Sequence, residues 1–430
     1  MPLRNLTVIL FAAVTSMLCY TEANRSRYAH RLSEVIDTIS SHYVKDVDSR
    51  ELYEGGIEGM IERLDPYSGY ISPDDYAQFE TEMRQRFGGI GIEVGLRNEQ
   101  LTVLSPLPGS PAYDAGVLAG DLILAVDGKS TKGFKMRDAV GLIQGEPGTT
   151  VKLTVQHKGD TDSVDINVTR AIIKVESIRG DRRNDSGVWD FTLQDHPRIA
   201  HVRILKFAEK TAEELRATLD SLRGKIDGLV IDLRGNAGGL LTGAVEICDM
   251  FVEKGSVIVS IKGRHGTLQQ EYVAVEDAIV DPNLPIAVLV DSFSASASEI
   301  FAACLQDNKR AKVIGERTWG KGTVQNVIQL DAGKSALRLT TATYWRPSGK
   351  NIHRHIDDDT DAEWGVQPLA EDHIQVTPEE TKEMWLQRRD RDVLPPNSGT
   401  ERTTVKDARL EHAIQYLQNV IAESGEKNAA

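Results

Sequence analysis

The spacing of apolar residues changes twice along the chain, and the changes predict three kinds of structure. From 27 to 85 apolar residues keep helical spacing, as at Leu52, Ile57 and Ile61. Short β-like runs follow from 86 to 170, and apolar strands alternate with amphipathic helices from 171 onward. We therefore predict a multidomain α/β protein with a helical N-terminal region, a β-rich domain, an α/β core and a helical C-terminal extension.

The first residues have the pattern of a secretory signal peptide. Arg4 supplies a positive charge, and the run from Leu6 to Tyr20 is apolar but short for a transmembrane helix. We expect export to the periplasm or cell envelope, and the alternative is a signal segment that is retained as an anchor. The predicted segments are a signal peptide (1–23), a helical region (24–85), a β-rich domain (86–170), an α/β core (171–376) and an extension (377–430).

Charge and cysteine content restrict the class of protein. The 430 residues include 50 basic and 64 acidic side chains, a net charge of −14, whereas nucleic-acid binding needs a basic surface. Export would leave Cys248 and Cys304, each in an apolar helical pattern. Two cysteines make no disulfide framework, so we expect buried free thiols.

The β-rich segment resembles a PDZ domain. Residues 109–128 contain Pro-Ala-Tyr-Asp-Ala-Gly, typical of the short PDZ helix, and then Gly-Asp-Leu-Ile, which leads into a strand. The run Phe-Gly-Gly-Ile-Gly-Ile at 87–92 occupies the place of the carboxylate-binding loop, where glycines let amides face an anion. The resemblance implies that Gly89, Ile90, Gly91 and Ile92 bind a chain end by β-augmentation. The alternative is a small β-domain with a glycine-rich turn.

Two segments of the core suggest covalent catalysis. Asp-Ser-Phe-Ser-Ala-Ser-Ala-Ser-Glu (291–299) joins an apolar strand to a helix, whose N-terminus offers free amides and partial positive charge. Ser294, Ser296 and Ser298 each qualify as a nucleophile, each can equally be a helix cap, and local physics does not choose among them. Gly-Lys-Gly-Thr-Val-Gln (320–325) offers Lys321 as a base, if burial lowers its pKa, and Gln325 to orient it.

These two motifs resemble those of the carboxyl-terminal processing peptidases, a family of PDZ-bearing serine peptidases, over roughly residues 30–370. The resemblance implies that Ser296 is the nucleophile, that Lys321, 25 residues later, is the base, and that Gln325 completes the triad. It also implies a crotonase-like ββα protease core without a metal or other cofactor. To Asp307, which the family pattern sometimes includes, we assign a structural role at a helix end.

A third motif, Asp-Leu-Arg-Gly-Asn-Ala-Gly-Gly at 232–239, follows an apolar strand. Its successive amides can form an anion-binding nest. A phosphate-binding loop is the alternative, but the Gly-Lys-Ser/Thr element is lacking. The family resemblance implies that Gly238 or Gly239 donates one oxyanion-hole amide and that Ala297 donates the other.

The expected function is that of an exported serine endopeptidase that binds unstructured, apolar C-termini through the PDZ domain and cleaves the attached proteins. By analogy, an adaptor protein and a second copy held through the N-terminal helices are further expected partners. Gln144 stands where the family commonly has an arginine that couples the PDZ domain to the active site, so that coupling is not implied here. His201 and His265 lie in no recognisable triad motif, which disfavours a Ser-His-Asp hydrolase. The alternative function is an inactive PDZ adaptor with a decayed protease core.

Overall fold

A computed structural model describes residues 3–76, 86–97, 100–107, 109–174, 176–184, 188–355, 362–393 and 406–429. Within these residues no helix is both long enough and apolar enough to cross a membrane. The helices are α1 (Leu3–His42), α2 (Ser49–Ile61), α3 (Pro111–Asp114), α4 (Met136–Ile143), α5 (Thr211–Leu222), α6 (Leu241–Asp249), α7 (Ala297–Asp307), α8 (Pro378–Val393) and α9 (Ala408–Ala429).

The strands up to the start of the core are β1 (Gly69–Ile71), β2 (Arg86–Gly89), β3 (Ile92–Arg97), β4 (Gln100–Pro106), β5 (Leu122–Val126), β6 (Lys129–Ser130), β7 (Thr150–Gln156), β8 (Val164–Thr169) and β9 (Ala171–Lys174). Those that follow are β10 (Ile178–Arg179), β11 (Arg182–Arg183), β12 (Trp189–Asp190), β13 (Ile199–Ile204), β14 (Gly228–Asp232), β15 (Val257–Lys262), β16 (Leu268–Val273), β17 (Ile286–Val290), β18 (Lys312–Gly315), β19 (Thr323–Leu330) and β20 (Ser335–Trp345).

The chain divides into two compact units. The smaller comprises Met1–Tyr76 and Gln325–Thr340, and the larger comprises Ala77–Val324 and Thr341–Ala430. In the smaller unit, Asp48 caps α2 by accepting the Arg50 amide at 2.8 Å. Strand β1 there pairs antiparallel with the beginning of β20. The prediction of a helical N-terminal region did not include this strand, because the three residues of β1 are too few to show a period.

The PDZ-like part of the larger unit is an antiparallel sheet in the order β3-β4-β5-β7-β8, with β6 beside β5. Strand β7 buries alternate residues, namely Val151, Leu153 and Val155. Ala139 and Ile143 of α4 pack into the same core. The hydrophobic surface of this sheet is therefore closed by its own helix.

The α/β core is built on a sheet in the order β10-β13-β14-β17-β18, in which the last four strands run parallel. Strands β14 and β17 are buried at every residue, as expected for a parallel sheet covered on both faces. Residues of α5, α6 and α7 cover one face, and Ala413 and Leu417 of α9 pack with Val230, Ala287 and Leu289 on the other. The predicted α/β fold class is confirmed, and the C-terminal extension contributes one layer of it.

The two cysteines lie on that core and confirm the prediction of buried free thiols. Cys248 is in α6 and Cys304 in α7, and neither takes part in a disulfide. Burial raises the pKa of the Cys248 thiol well above its usual value, with further contributions from Cys304. A thiol held in its neutral form is a packing residue rather than a nucleophile.

Candidate active site

The loop at 232–239 and the serine-containing loop at 291–296 meet because they follow adjacent parallel strands. Strand β14 leads into the loop at 232–239, its neighbour β17 leads into 291–296, and the carboxyl ends of parallel strands share one edge of the sheet. The Asp291 carboxylate joins the loops by accepting the Gly235 amide at 3.0 Å.

The structure distinguishes the three serines that the sequence left equivalent. Ser294 Oγ donates to the Leu233 carbonyl and Ser298 Oγ to the Asn236 carbonyl, each at 2.9 Å. Both side chains are fully buried and bind the two loops together. Ser296, between them, is half-buried. Of the three, Ser296 alone combines a place at the loop apex with access to solvent.

The backbone at Ser296 is in an unusual conformation. Its φ of 57° and ψ of −114° place it at the N-cap of α7 in a region that residues other than glycine rarely adopt. Such strain persists only where the surroundings determine the conformation, and it is typical of functional sites. Ala297 is the first residue of α7, so its amide has no acceptor within the helix.

The surroundings that hold Ser296 are centred on Glu299, a residue whose role was not predicted from the sequence. Its Oε2 accepts the Ser296 amide and the Lys321 amide, each at 2.8 Å. Its Oε1 accepts the Gly320 amide at 2.7 Å and the Thr318 hydroxyl at 2.6 Å. We call these four donors and their acceptor the Glu299 clamp. Because one oxygen accepts both amides, the amide nitrogens of Ser296 and Lys321 lie no further apart than twice 2.8 Å.

The Glu299 carboxyl group is fully buried and has no cationic side chain among the donors of its clamp. Burial raises its pKa to about 7, although the four donors act in the opposite direction. A Ser-x-x-Glu pattern is a recognised capping-box signal, and it could have indicated the contact with Ser296. It could not have indicated the contacts with residues 318–321.

Lys321 lies in a tightly packed turn and is half-buried. A β-carbon at Gly322 would lie 2.2 Å from the His353 amide nitrogen, so only glycine fits this close approach. Gln325 belongs to the smaller unit, where its Nε2 donates to Thr340 Oγ1 at 3.2 Å.

The glycines of the first loop lie against the serine. A β-carbon at Gly238, whose φ is +98°, would be 2.8 Å from Ser296 Cβ and 2.9 Å from the Ala297 amide nitrogen. The Gly238 amide already donates to Asn236 Oδ1 at 2.8 Å. The Phe207 amide donates to the Gly238 carbonyl, and the Leu240 amide donates to the Phe207 carbonyl. The Gly239 amide takes no part in these two hydrogen bonds. This favours Gly239 over Gly238 as an oxyanion donor.

Asp232, at the start of the same loop, is the centre of a buried ionic cluster. Arg234 and Arg388 donate to its Oδ2 at 2.8 and 2.7 Å, and His201 Nε2 lies 3.1 Å from the same atom. Burial alone would raise the pKa of Asp232, but the two arginines hold it well below its usual value. Arg234 also binds Asp407 at 2.8 Å. We call these five residues the Asp232 cluster; it attaches the loop to α8 through Arg388.

The four predicted PDZ contacts come together in the larger unit. Gly89, Ile90, Gly91 and Ile92 line a cavity of about 100 Å³ with residues of α4. Gln144, which directly follows α4, lines the same cavity. This is the arrangement expected of a carboxylate-binding loop beside the peptide groove of a PDZ domain.

A larger cavity, of about 560 Å³, opens at the other end of α7. Asp307, Arg346 and Trp364 are among its lining residues, and none of the predicted catalytic residues is. Asp307 ends α7 and accepts from Arg346 Nε at 3.1 Å, in accordance with a structural role. Ser296 is at the opposite end of α7, about 16 Å away by helical rise. Hydrogen-bond geometry, rather than cavity size, therefore identifies the candidate active site.

Three known families match parts of the chain. Residues 198–362 match Peptidase family S41, residues 102–157 match the PDZ domain, and residues 15–74 match the N-terminal domain of the activating protease CtpB. The PDZ match supports binding of a peptide C-terminus.

Named relatives cover most of the chain. The carboxy-terminal-processing protease of Bartonella bacilliformis is 37% identical over 352 residues, which are 81% of this chain and 77% of the relative. The carboxy-terminal processing protease CtpA of Bacillus subtilis is 35% identical over 75% of this chain and 66% of its own length. A putative S41 protease from Bacteroides fragilis shares the fold, with a TM-score of 0.52 at 15% identity over 90% of this chain and 97% of that structure. The chain belongs to the carboxy-terminal processing protease family of serine-type peptidases.

Proposed function

We propose that Ser296 is the nucleophile and Lys321 the general base of an endopeptidase that processes proteins from their C-termini. The observation that carries this proposal is the Glu299 clamp, in which one buried oxygen accepts the amides of both residues. The engagement of Ser294 and Ser298 with loop carbonyls supports the same choice of serine.

The proposed reaction has two proton-transfer cycles. Neutral Lys321 takes the hydroxyl proton of Ser296, whose oxygen attacks the scissile carbonyl carbon; the C–N bond then breaks and the lysine returns the proton to the leaving amine. Water attacks the resulting ester with Lys321 again as base, and loss of the acyl group restores the Ser296 hydroxyl. Gln325 would orient the amine of Lys321 by accepting a hydrogen bond from it.

The oxyanion that forms in each cycle would be stabilised by backbone amides. We assign one donor to Ala297, at the N-terminus of α7, and the other to Gly239, with Gly238 as the alternative. Loss of one such donor typically costs roughly 3 kcal/mol of transition-state stabilisation. The α7 dipole adds to the positive potential at the same place.

Substrate delivery and location are part of the proposal. The cavity beside Gly89 and Ile92 supports recognition of an unstructured C-terminus with an apolar end residue. The N-terminal apolar run supports export to the periplasm or cell envelope, with an uncleaved signal segment as the alternative. A second copy bound through the N-terminal helices and an adaptor protein are the proposed partners. The comparisons do not favour an inactive PDZ adaptor.

The test combines two catalytic variants with a nearby control. Ser296→Ala and Lys321→Met should each lower cleavage of a denatured model protein by at least about 10³-fold. Ser292→Ala changes an exposed serine four residues earlier and should cleave like wild type. A fluorophosphonate should label wild type but not Ser296→Ala, while a C-terminal peptide binds both. Full cleavage by Ser296→Ala would refute the assignment, and no labelling of wild type would favour the inactive adaptor.

A further inference from the structure

Three large aromatic side chains are exposed on the segments that form the candidate active site. Phe293 is 54% exposed, Trp319 is 50% exposed and Trp385 is 62% exposed. Phe293 lies three residues before Ser296, and Trp319 lies two residues before Lys321. Trp385 belongs to α8, which lies beyond the S41 match at 198–362. Exposed aromatic groups next to one site are characteristic of a binding surface rather than of solvated surface.

A backbone hydrogen bond brings the segment that contains Trp319 next to the segment that contains Phe293. The Trp319 amide donates to the Ser294 carbonyl at 3.0 Å. The backbone at Trp319 therefore lies beside the residue that directly follows Phe293. The Phe293 amide in turn donates to Asp291 Oδ1 at 3.0 Å. The backbone of both aromatic residues is thus held by hydrogen bonds to the loop at 291–296.

Trp385 lies against the neighbouring loop at 232–239. A β-carbon at Gly235 would lie 3.0 Å from Trp385 Cζ2, so the indole lies directly over this glycine. Gly235 donates to Asp291 Oδ1, the atom that also accepts the Phe293 amide. One carboxylate oxygen therefore connects the backbone under Trp385 with the backbone of Phe293.

The position of Trp385 is set by buried charges. Arg388, three residues later on the same face of α8, donates to Asp232 Oδ2 at 2.7 Å. One turn further, Asp392 accepts from Arg203 Nη2 at 2.6 Å. These anchors hold α8 against the loop at 232–239 while its tryptophan stays exposed. Burial of that indole by a ligand would remove a large apolar area from water without any need to order the helix.

We propose that Trp385, Phe293 and Trp319 form an aromatic rim that receives a large apolar side chain of the polypeptide substrate close to the scissile bond. The inference rests on the proposed function, because it takes Ser296 as the reacting residue. The occupant is an extended polypeptide because the rim is continuous with the loops of a serine-type peptidase site. The C-terminal extension thereby contributes to substrate selection as well as to the fold.

The test uses the full chain, an unfolded protein substrate and mass spectrometry of the cleavage sites. Wild type should cut where Leu, Phe or Met lies within three residues of the cleaved bond. Trp385→Ala should lose this preference and show an about tenfold higher KM. Trp385→Phe should keep most of the preference, because an aromatic face remains. Leu386→Ala removes the neighbouring exposed residue of α8 and should match wild type.

Labelling of Ser296 by a fluorophosphonate reports whether the site of each variant is assembled. If Trp385→Ala is labelled but has the same cleavage pattern and KM as Leu386→Ala, the proposal of an aromatic rim is refuted. The proposed function is unaffected by that result. Cleavage by Ser296→Ala at the wild-type rate would instead refute the proposed function. If Trp385→Ala is not labelled, its site is not assembled, and Trp385→Leu is tested in its place. Trp385→Leu is expected to show the same loss of preference.

Discussion

Glu299 and Asp232 are both buried carboxylates at the same edge of the sheet, but the donors around Glu299 are neutral and those around Asp232 are cationic. Glu299 accepts from three backbone amides and one hydroxyl, and its pKa is raised to about 7 by burial. Asp232 accepts from Arg234 and Arg388 and has a pKa well below its usual value.

The difference shows what each carboxylate holds together. Glu299 accepts from the residue before its own helix and from residues 318–321, so its hydrogen bonds fix the relative position of the Ser296 and Lys321 backbones. Asp232 accepts from Arg234 of its own loop and from Arg388 of α8, so its ion pairs attach the loop at 232–239 to the C-terminal extension. Burial is similar in the two cases, and the partners decide whether the group can titrate near neutral pH.

The largest effect is expected when the Asp232 cluster loses the negative charge of Asp232 itself. Asp232→Asn leaves Arg234 and Arg388 with one fewer carboxylate in a buried place, and should lower the free energy of unfolding by about 3–5 kcal/mol. Urea denaturation measures this change. Asp220→Asn, which removes one partner of the exposed pair with Arg223, should cost at most about 1 kcal/mol. Equal losses in the two variants would contradict a buried, uncompensated charge.

The next effect concerns pH and separates the two carboxylates directly. The folded pKa of Glu299 is about 7 against an ordinary 4.5, so the folded state binds more protons between these values. Its contribution to stability is therefore complete below pH 4.5 and is lost as the pH rises through 7, a change of about 3 kcal/mol. The contribution of Asp232 depends on pH in the opposite direction: it is complete above pH 3.8 and is lost as the pH falls below that value.

Urea denaturation of wild type and Glu299→Gln between pH 4.5 and 7 isolates the Glu299 contribution. The difference between their free energies of unfolding should change across this window, because glutamine does not titrate. A constant difference would show that the pKa of Glu299 is not raised in the folded state.

A smaller effect is expected on catalysis when the clamp loses one acceptor. Glu299→Gln keeps the shape, but its amide group would face two donors, and an unsatisfied buried donor costs about 1–3 kcal/mol. We expect kcat for peptide cleavage to fall by about 10- to 100-fold. Glu246→Gln, on the exposed face of α6, is the control. An unchanged kcat in Glu299→Gln would mean that the clamp does not position the serine and the lysine.

The smallest effect tests the geometry of the Asp232 cluster rather than its charge. Arg388→Lys keeps the positive charge but cannot reach both Asp232 and His201, whose contacts use separate guanidinium nitrogens. We expect a loss of about 1 kcal/mol in the free energy of unfolding. Arg216→Lys, an exposed residue of α5, should leave that free energy unchanged.

Much of the fold was predictable because it depends on local periodicity. Strands β14 and β17 were recognisable as apolar runs without alternation, and the buried free thiols followed from the helical patterns around them. The family and its peptidase class were recognisable from the motifs at 291–299 and 320–325. The domain boundaries and the catalytic roles remain predictions.

Other features could not be predicted because their partners are distant in sequence. Glu299 meets Thr318, Gly320 and Lys321 about 20 residues away, and Arg388 meets Asp232 across 156 residues. Neither pairing leaves a periodic or local signal. The same applies to the contact of Trp385 with Gly235.

The sequence by itself determined which segments form strands and helices and which motifs stand at their junctions, because these depend on neighbours within a few residues. The structural roles of Ser294 and Ser298 became visible only in the tertiary structure, since their hydroxyl groups donate to the loop that β14 brings alongside β17. The electrostatic contrast between Glu299 and Asp232 was likewise decided by folding, because a carboxylate acquires its pKa from groups that only the folded chain assembles.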